Sequence, residues 1–315
     1  MPFRLGLVGG GRMGRTHMRA LADSELVAVT AIAEVSQAAR AAVAAPGVSV
    51  HASITEMLAD AALDGVLITA PTDQHRVVVA QVAAAGLPIL CEKPCGLTAQ
   101  QARASAEVVA DAGVPFQVAY WRRYVPALRQ LRAAIAAGEL GTVLTVACYQ
   151  WDEGPAPLSF RAHSGGIAID MGVHEFDQLR WLTGEDIVSM TAVGAGPDPD
   201  GLPDVESLQA IATLSGGGSA VISLGRYYPA GDAVWAQAFG TGGSQLCPVI
   251  DPADGERVQL AALRSQAEGF AAFAGGAPCD GATAADAIAA LVAAEQVAAA
   301  VSAMAGQAAP WRAIP

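Results

Sequence analysis

The sequence predicts an α/β domain with a doubly wound parallel sheet, followed by an α+β domain with an open, mainly antiparallel sheet. Over residues 1–119, apolar runs alternate with helical patterns, as parallel strands joined by helices require. From residue 120 onward, several strand-like runs follow one another without intervening helices, which favours antiparallel pairing. The chain has 315 residues and exceeds the usual size of one domain. We therefore expect two domains, 1–119 and 120–315.

The first strand leads directly into a glycine-rich turn. Phe3–Val8 is a short apolar run, and the letters GGGRMG follow at positions 9–14, ahead of a helical pattern. Between a strand and a helix, a GxGxxG pattern predicts dinucleotide binding. Gly9 permits the tight turn, Gly11 lets the backbone approach a pyrophosphate, and Gly14 lets the helix pack closely on the strand. The helix N-terminus then offers its free N–H groups to the anion.

A carboxylate ends the second apolar run, Leu26–Ala33. Glu34 stands about twenty residues past the glycines, where a carboxylate can accept hydrogen bonds from both ribose hydroxyls. Its charge would repel a 2′-phosphate, Val35–Gln37 offers no cation to hold one, and Arg40 lies a full turn further on. We therefore expect NAD as the cofactor, with NADP less favoured. The alternative role for Glu34 is a solvated helix cap.

Strand ends mark two further site candidates in this first half. In a doubly wound sheet, ligands bind at the carboxyl ends of the strands. Lys93 and His75 both fall at such ends. The predicted strands are Asp64–Thr69, Leu87–Cys91 and Pro115–Ala119, separated by helices at Arg76–Ala85 and Leu97–Gly113.

Lys93 is the only lysine among the 18 basic residues of the chain. A chain that uses arginine for general cationic roles has kept one compact ammonium group, which can exchange a proton where a guanidinium cannot. Such groups serve catalytic acid–base chemistry more often than surfaces. The alternative is an ordinary solvated residue that remains by chance.

The second half carries an aspartate and a histidine four residues apart. Asp170 and His174 would be neighbours on one helix face. A carboxylate beside an imidazole raises its basicity and fixes its orientation, as a proton acceptor requires. The alternative is a capping aspartate with a half-buried histidine. His17, His51 and His163 have no comparable partner along the sequence, and we interpret them as structural or surface residues.

The strand-like runs of the second half predict association as well as a sheet. A run such as Ala220–Leu224 is too apolar to be exposed to solvent on an open sheet face, so we expect a homodimer or homotetramer. The predicted elements are a helix at Pro126–Ala137, strands at Val143–Gln150, Ile187–Val193, Ser207–Leu214, Ala220–Leu224 and Ala233–Phe239, and helices at Leu263–Phe273 and Thr283–Met304.

The amino-acid composition and net charge indicate which kinds of binding partner to expect. The net charge is −12 and the basic residues are scattered, so no nucleic acid is expected. No membrane is expected either, because Glu295 and Gln296 interrupt the alanine-rich Ala287–Ala305. Five scattered cysteines predict reduced thiols and no metal site. The first residues lack the pattern of a signal peptide, so a cytoplasmic location is expected.

The order of motifs resembles the glucose–fructose oxidoreductase/inositol dehydrogenase (Gfo/Idh/MocA) family, especially its inositol 2-dehydrogenase-like branch. These motifs are GGGRMG, Glu34, APTDQH, CEKP, YWRRY and SGG followed by DMGVH. The resemblance implies a Rossmann domain, then an open-faced sheet domain, with NAD(P) between them. It also implies that Lys93, Asp170 and His174 are the catalytic residues.

The resemblance extends the set of expected site residues. A tryptophan at position 121 departs from the small polar residue or Met that the family often has there, and Tyr149–Asp152 does not match the family's usual substrate-binding segment. The implied cofactor residues are Gly9, Gly11, Arg12, Met13, Gly14, Glu34, Pro71, Thr72, His75, Glu92, Lys93, Trp121 and Arg123. The implied substrate residues are Lys93, Tyr120, Trp151, Asp152, Asp170 and His174.

The activity that this resemblance implies is NAD-dependent oxidation of one secondary hydroxyl of a cyclic polyol or sugar, inositol-like, to a ketone. Within the same class, a sugar dehydrogenase or a ketosugar reductase is the alternative. In another class, the alternative is a non-catalytic NAD-sensing protein on the same fold, although a pure sensor has no need of Lys93, Asp170 and His174 together.

Overall fold

The computed structural model describes residues 1–305. The chain forms two compact units, and the first consists of Met1–Arg129 together with Asp254–Leu291. The second consists of Gln130–Ala253 and the described residues from Val292 onward. The expected domains, 1–119 and 120–315, did not place the segment Asp254–Leu291 with the first part of the chain.

The first unit is built on a six-stranded parallel sheet, which confirms the predicted doubly wound architecture. A short strand near His51 and two short helices around it were not predicted. The elements up to the end of this sheet and the next helix are β1 (Phe3–Val8), α1 (Arg12–Leu21), β2 (Val27–Ala33), α2 (Gln37–Val43), β3 (Ser49–His51), α3 (Ile54–Asp60), β4 (Gly65–Ile68), α4 (His75–Ala84), β5 (Ile89–Cys91), α5 (Ala99–Ala112), β6 (Phe116–Val118) and α6 (Pro126–Ala136).

The strand order places a crevice at the centre of this sheet. The strands lie in the order β3-β2-β1-β4-β5-β6, so the chain reverses its direction of travel between β1 and β4. Open α/β sheets bind their ligands at such a switch point, outside the carboxyl ends of the strands. The loops after β1, β4 and β5 therefore surround the expected ligand position.

The second unit contains a six-stranded sheet in the order β12-β11-β7-β10-β9-β8. All neighbours are antiparallel except β7 and β10, which confirms the prediction of a mainly antiparallel sheet. The last strand was not predicted. The remaining elements of the chain are β7 (Val143–Trp151), α7 (Leu158–Arg161), α8 (Ile167–Asp170), α9 (Gly172–Thr183), β8 (Ile187–Pro197), β9 (Val205–Leu214), β10 (Ser219–Gly225), β11 (Ala233–Gly240), β12 (Gly243–Ile250), α10 (Gly255–Ala274) and α11 (Ala284–Ala305).

Packing explains why helix α10 belongs to the first unit. Its residues Ala267 and Phe270 are fully buried in the same core as the strand residues of the parallel sheet. The ring of Phe270 meets Phe3 of β1 edge to face, with centroids 6.0 Å apart. Burial of a phenylalanine side chain contributes about 1.5–3 kcal/mol. The strand residues of this core include Leu5, Leu7, Ile32, Leu67 and Leu90.

The two faces of the second sheet differ in burial. Gln178 of α9 donates a hydrogen bond of 3.4 Å to the thiol of Cys148, which places α9 on the Cys148 face of the sheet. In β10, Ile222 points to this covered face and is fully buried. The opposite face is open, and Ile211 of β9 keeps 59% of its surface exposed there. The run Ala220–Leu224 thus divides between both faces, because strand side chains alternate.

Helix α11 corrects the expectation that Glu295 and Gln296 keep the alanine-rich segment from resembling a membrane span. By length and hydropathy alone, Ala284–Ala303 would be sufficient to cross a bilayer. Ala287, Ala290, Leu291 and Ala294 are nevertheless fully buried by the protein. The i, i+3, i+4, i+7 spacing of these residues is that of one helix face packed in a protein interior, and length with composition is weak evidence for a membrane segment.

Candidate active site

The glycine turn after β1 has the close packing that a dinucleotide site requires. Gly9 has a φ of +102°, which favours glycine. A methyl group at Gly14 would overlap the carbonyl oxygen of Gly9 and lie 3.1 Å from the hydroxyl of Thr69. At Gly11, by contrast, a methyl group would meet nothing within 4 Å. The open space therefore lies over the N-terminus of α1, where a pyrophosphate fits.

Glu34 lies where β2 ends, next to this turn. One carboxylate oxygen accepts from the backbone N–H of Gly10 and the other from that of Ser36, both at 2.7 Å. These bonds fix the carboxylate and leave further lone pairs for ribose hydroxyls. The Arg40 side chain reaches back along α2 and donates to the carbonyl oxygens of Glu34 and Val35, at 2.8 and 2.9 Å.

Glu92 and Lys93 follow β5, beside the switch point. Glu92 is buried, and its Oε1 lies 2.7 Å from Nε2 of His17, whose side chain has no exposed surface. Burial favours the neutral carboxyl, but the hydrogen bond with His17 and the nearby Lys93 ammonium hold the pKa of Glu92 below its ordinary value. Lys93 is half-buried. The burial of His17 agrees with its interpretation as structural or surface, but its partner, 75 residues away in the chain, was not anticipated.

His75 links the loops after β4 and β5. Its Nδ1 lies 2.8 Å from the carbonyl oxygen of Pro94, and its Nε2 lies 2.8 Å from that of Ala70. Burial lowers the pKa of His75, while the two carbonyl groups act in the opposite direction. Both ring nitrogens are occupied by these protein groups. The geometry thus gives His75 a role in holding the site together, and its proposed contact with the cofactor stays a prediction.

The remaining cofactor candidates of the first unit lie in the same loops. Arg12 and Met13 begin α1, and Pro71 with Thr72 opens the short 3-10 turn after β4. After β6, a second 3-10 turn holds Trp121 and Arg123, which are buried, and Tyr120 precedes it with 1% of its surface exposed. Arg123 pairs with Asp286 of α11 at 3.3 Å.

Asp170 and His174 belong to the second unit and stand on two successive helices. Helix α8 ends at Asp170 and α9 begins at Gly172, so the expected single helix is interrupted at Met171. The backbone of Met171 keeps right-handed helical angles, φ −94° and ψ −49°. The interruption is therefore one residue long. His174 is 7% exposed, and Asp170 is half-buried.

A buried ion pair holds the start of α8. Asp204 accepts from the backbone N–H of Ile167 with both carboxylate oxygens, each at 3.1 Å. The same carboxylate lies 2.7 Å from Nη2 of Arg226, whose side chain is 2% exposed. Three residues of well-separated sequence position thus fix the helix that ends in Asp170. No local pattern in the sequence around these residues indicates this arrangement.

A second arginine anchors the loop between β8 and β9. Arg161 of α7 is buried and pairs with Asp198 and Asp200. The loop that ends in Asp204 is therefore tied to the segment that precedes α8. Both attachments support the backbone next to the predicted Asp170–His174 pair.

Trp151 and Asp152 lie at the end of β7 and point in different directions. The Trp151 indole N–H donates to the hydroxyl of Ser223 at 3.1 Å, and its ring covers Gly225. This position lies on the open face of the sheet, opposite the face that carries α9. The structure therefore does not bring Trp151 together with His174. Asp152 accepts from the Gln150 amide at 3.1 Å and remains a substrate candidate.

Among residues 1–305, no group of three or more His, Cys, Asp or Glu side chains could hold a metal ion. All five cysteines are free thiols. Burial raises the pKa of Cys95 to about 12 and that of Cys91 well above its ordinary value, so neither thiol is a ready nucleophile.

Comparison with known proteins identifies both units. Residues 3–120 match the model of an oxidoreductase family with an NAD-binding Rossmann fold, and residues 128–245 match the GFO/IDH/MocA C-terminal domain. The chain is 48% identical to the rhizopine catabolism protein MocA of Rhizobium meliloti over 93% of each chain.

Two further relatives come from other genera. The myo-inositol dehydrogenase Hyg17 of Streptomyces leeuwenhoekii is 32% identical over 87% of this chain and 89% of its own length. The crystal structure of a myo-inositol dehydrogenase from Corynebacterium glutamicum superposes with a TM-score of 0.87, at 26% identity, over 96% of this chain and 98% of that one. The chain belongs to the Gfo/Idh/MocA family of NAD-binding oxidoreductases.

Proposed function

We propose that this oxidoreductase oxidises one secondary hydroxyl of an inositol-like cyclic polyol or sugar to a ketone, with NAD as the cofactor. The observation that carries the proposal is the position of Lys93. The only lysine of the chain stands half-buried at the carboxyl end of β5, beside the switch point where Gly11 leaves open space over a helix N-terminus. The names of the Streptomyces and Corynebacterium relatives support the substrate class.

The reaction needs a proton acceptor, a hydride acceptor and a group that stabilises the reacting oxygen. NAD, when bound, supplies the hydride acceptor. In our proposal His174 takes the hydroxyl proton and Asp170 orients its ring. Lys93 donates a hydrogen bond to the same oxygen and stabilises the negative charge that develops there as the hydroxyl proton leaves. His174 and Lys93 could exchange the roles of base and electrostatic stabiliser.

The residues of the first unit fit NAD better than NADP. The N-terminus of α1 would hold the pyrophosphate, and Glu34 would accept from the ribose hydroxyls. A 2′-phosphate would meet the Glu34 carboxylate, while the Arg40 guanidinium is engaged by two backbone carbonyl groups. We expect a higher kcat/KM with NAD, and equal values with NADP would contradict this assignment.

The solitary lysine allows a direct test of the site. Apart from the α-amino group, Lys93 is the only primary amine of the chain, so an amine-selective reagent labels at most two positions that mass spectrometry can separate. We expect activity to fall in proportion to Lys93 labelling, and NAD with a substrate analogue to shield it. Lys93→Arg should be nearly inactive although it keeps the charge, because a guanidinium is bulkier and does not release a proton.

Substrate screening completes the test. Absorbance of the reduced nicotinamide would be followed with inositols and aldoses, and its loss with their keto forms. An active Lys93→Arg variant, with labelling unaffected by ligands, would make Lys93 an ordinary surface residue. Binding of NAD without turnover of any of these compounds would favour the NAD-sensing alternative.

We further propose that the protein is cytoplasmic and forms a homodimer or homotetramer through its second unit. Free thiols fit a reducing compartment. The open face of the sheet carries Ile211, Phe239 and Leu246, which are 59%, 40% and 58% exposed. Large apolar side chains exposed on one face of a sheet favour an association surface there.

A further inference from the structure

The buried pair of His17 and Glu92 connects two parts of the first unit that the sequence separates. His17 lies on α1, whose N-terminus faces the space over Gly11, and Glu92 directly precedes Lys93. The side-chain hydrogen bond of 2.7 Å therefore joins the predicted phosphate-binding helix to the strand end that carries the lysine. Strand β4 lies between β1 and β5, so no strand pairing connects these two segments.

Glu92 also holds the backbone of the lysine itself. Its Oε2 accepts from the backbone N–H of Lys93 at 3.1 Å, while its Oε1 is bound to His17. The carboxylate is 5% exposed and the His17 side chain fully enclosed, so water does not compete with either bond. Nδ1 of His17 has no hydrogen-bond partner among the described residues, which favours the tautomer that carries its proton on Nε2 and donates it to Glu92.

The other side of the lysine is held as well. His75 lies against the carbonyl oxygen of Pro94, the residue after Lys93, at 2.8 Å. The backbone is thus held at both positions that flank the Lys93 side chain. Burying a charged carboxylate is costly unless it is paired. The end of a β-strand does not by itself require a buried, charged carboxylate.

We propose that Glu92 and His17 are positioning residues for Lys93. They fix the point from which its side chain departs and connect that point to the cofactor-binding helix. This inference rests on the proposed function insofar as it assigns Lys93 to catalysis. Misplacement of a reacting group by about 1 Å can lower turnover about 10²-fold.

The test compares three variants that differ in the bonds they keep. His17→Gln retains an N–H donor for Glu92, and we expect near-normal turnover. His17→Leu removes the donor, and Glu92→Gln removes the charge while keeping the volume. For both we expect kcat with NAD and inositol to fall about 10²-fold. The KM for NAD should change much less, because the glycine turn and Glu34 are untouched.

A second measurement does not depend on turnover. The rate at which an amine reagent labels Lys93, relative to the α-amino group of the same molecule, reports how the lysine is held. We expect this ratio to rise severalfold in His17→Leu and Glu92→Gln and to stay near the wild-type value in His17→Gln. If Lys93→Arg is active but these ratios still change, the proposed function fails while the positioning role stands.

The outcomes decide the inference in each case. Wild-type kcat and labelling ratio in Glu92→Gln would overturn it. If His17→Leu does not fold, Glu92→Gln decides, since its amide can still bond His17. Failure of both to fold, with a normal His17→Gln variant, would assign the pair to folding alone and overturn the positioning role.

Discussion

A methyl group added at Gly14 should lower the stability of the protein, whereas one added at Gly11 should weaken NAD binding. In Gly14→Ala the new methyl overlaps the Gly9 carbonyl oxygen and lies 3.1 Å from the Thr69 hydroxyl. The Thr69 hydroxyl donates a hydrogen bond of 2.7 Å to the same Gly9 oxygen. Neither the hydroxyl nor the carbonyl group can therefore move away from the new methyl without disrupting the turn. In Gly11→Ala the methyl enters space that is empty to 4 Å.

The magnitudes follow from this difference. An extra methyl in a packed site costs about 1–3 kcal/mol, and the overlap with a backbone oxygen puts Gly14→Ala at the upper end, about 3 kcal/mol. The better helix propensity of alanine returns about 1 kcal/mol at Gly14, inside α1. We expect a net loss of about 2 kcal/mol from the free energy of unfolding, or a Tm lower by about 4–8 °C. At Gly11, the poorer helix cap and the less flexible unfolded chain offset each other to within about 0.5 kcal/mol.

Thermal unfolding without cofactor and calorimetric titration with NAD separate the two effects. Gly14→Ala should lower the Tm of the cofactor-free protein, whereas Gly11→Ala should keep the Tm and raise the Kd for NAD at least about tenfold, since its methyl occupies the pyrophosphate position. An unchanged Tm in Gly14→Ala would refute the close packing of helix on strand. A wild-type Kd in Gly11→Ala would refute the proposed phosphate position.

Four other predictions test the second unit and the site histidines. His174→Ala should lower kcat about 10²–10⁴-fold and leave NAD binding intact, and near-normal turnover at saturating substrate would make the Asp170–His174 pair structural. Asp204→Asn should lower the free energy of unfolding, measured in urea, by about 3–5 kcal/mol, because it leaves the Arg226 charge buried without its partner. The control Asp186→Asn breaks an exposed pair with Arg180 and should lower it by less than about 1 kcal/mol. Equal losses in the two variants would contradict this prediction. Burial lowers the pKa of His75, so the stability that this histidine contributes is present above its unfolded pKa of about 6.5 and is lost as the pH falls below that value. The decrease in Tm between neutral and acid pH should therefore be smaller in His75→Gln than in the wild type. An equal decrease in both proteins would show that His75 does not cause it. Ile211→Glu on the open sheet face should reduce the molar mass measured by light scattering. Leu26 is 62% exposed in the first unit, and the control Leu26→Glu should leave the mass unchanged. A wild-type protein that is monomeric at micromolar concentration would contradict the proposed association.

Several features of the fold were accessible from the sequence because they depend on local patterns. The alternation of apolar runs and helical periods predicted the parallel sheet, and the glycine spacing next to β1 predicted the dinucleotide turn. Glu34 and Lys93 could be placed at strand ends because strand ends are read from where an apolar run stops. Short elements such as β3 were missed, since three residues carry too little periodicity to be recognised.

Other features were decided only by the tertiary structure. His17 finds its partner Glu92 at a distance of 75 residues, and Arg226 finds Asp204 across two antiparallel strands. Helix α10 joins the first unit because Phe270 completes the core of the parallel sheet. The direction in which Trp151 points was fixed by strand register, which shifts every side chain to the other face when it changes by one residue. The sequence by itself thus determined the class of chemistry and the candidate groups, because these depend on residue type and local spacing. Which groups hold one another in place depends on contacts between distant segments, and only the folded chain decides those.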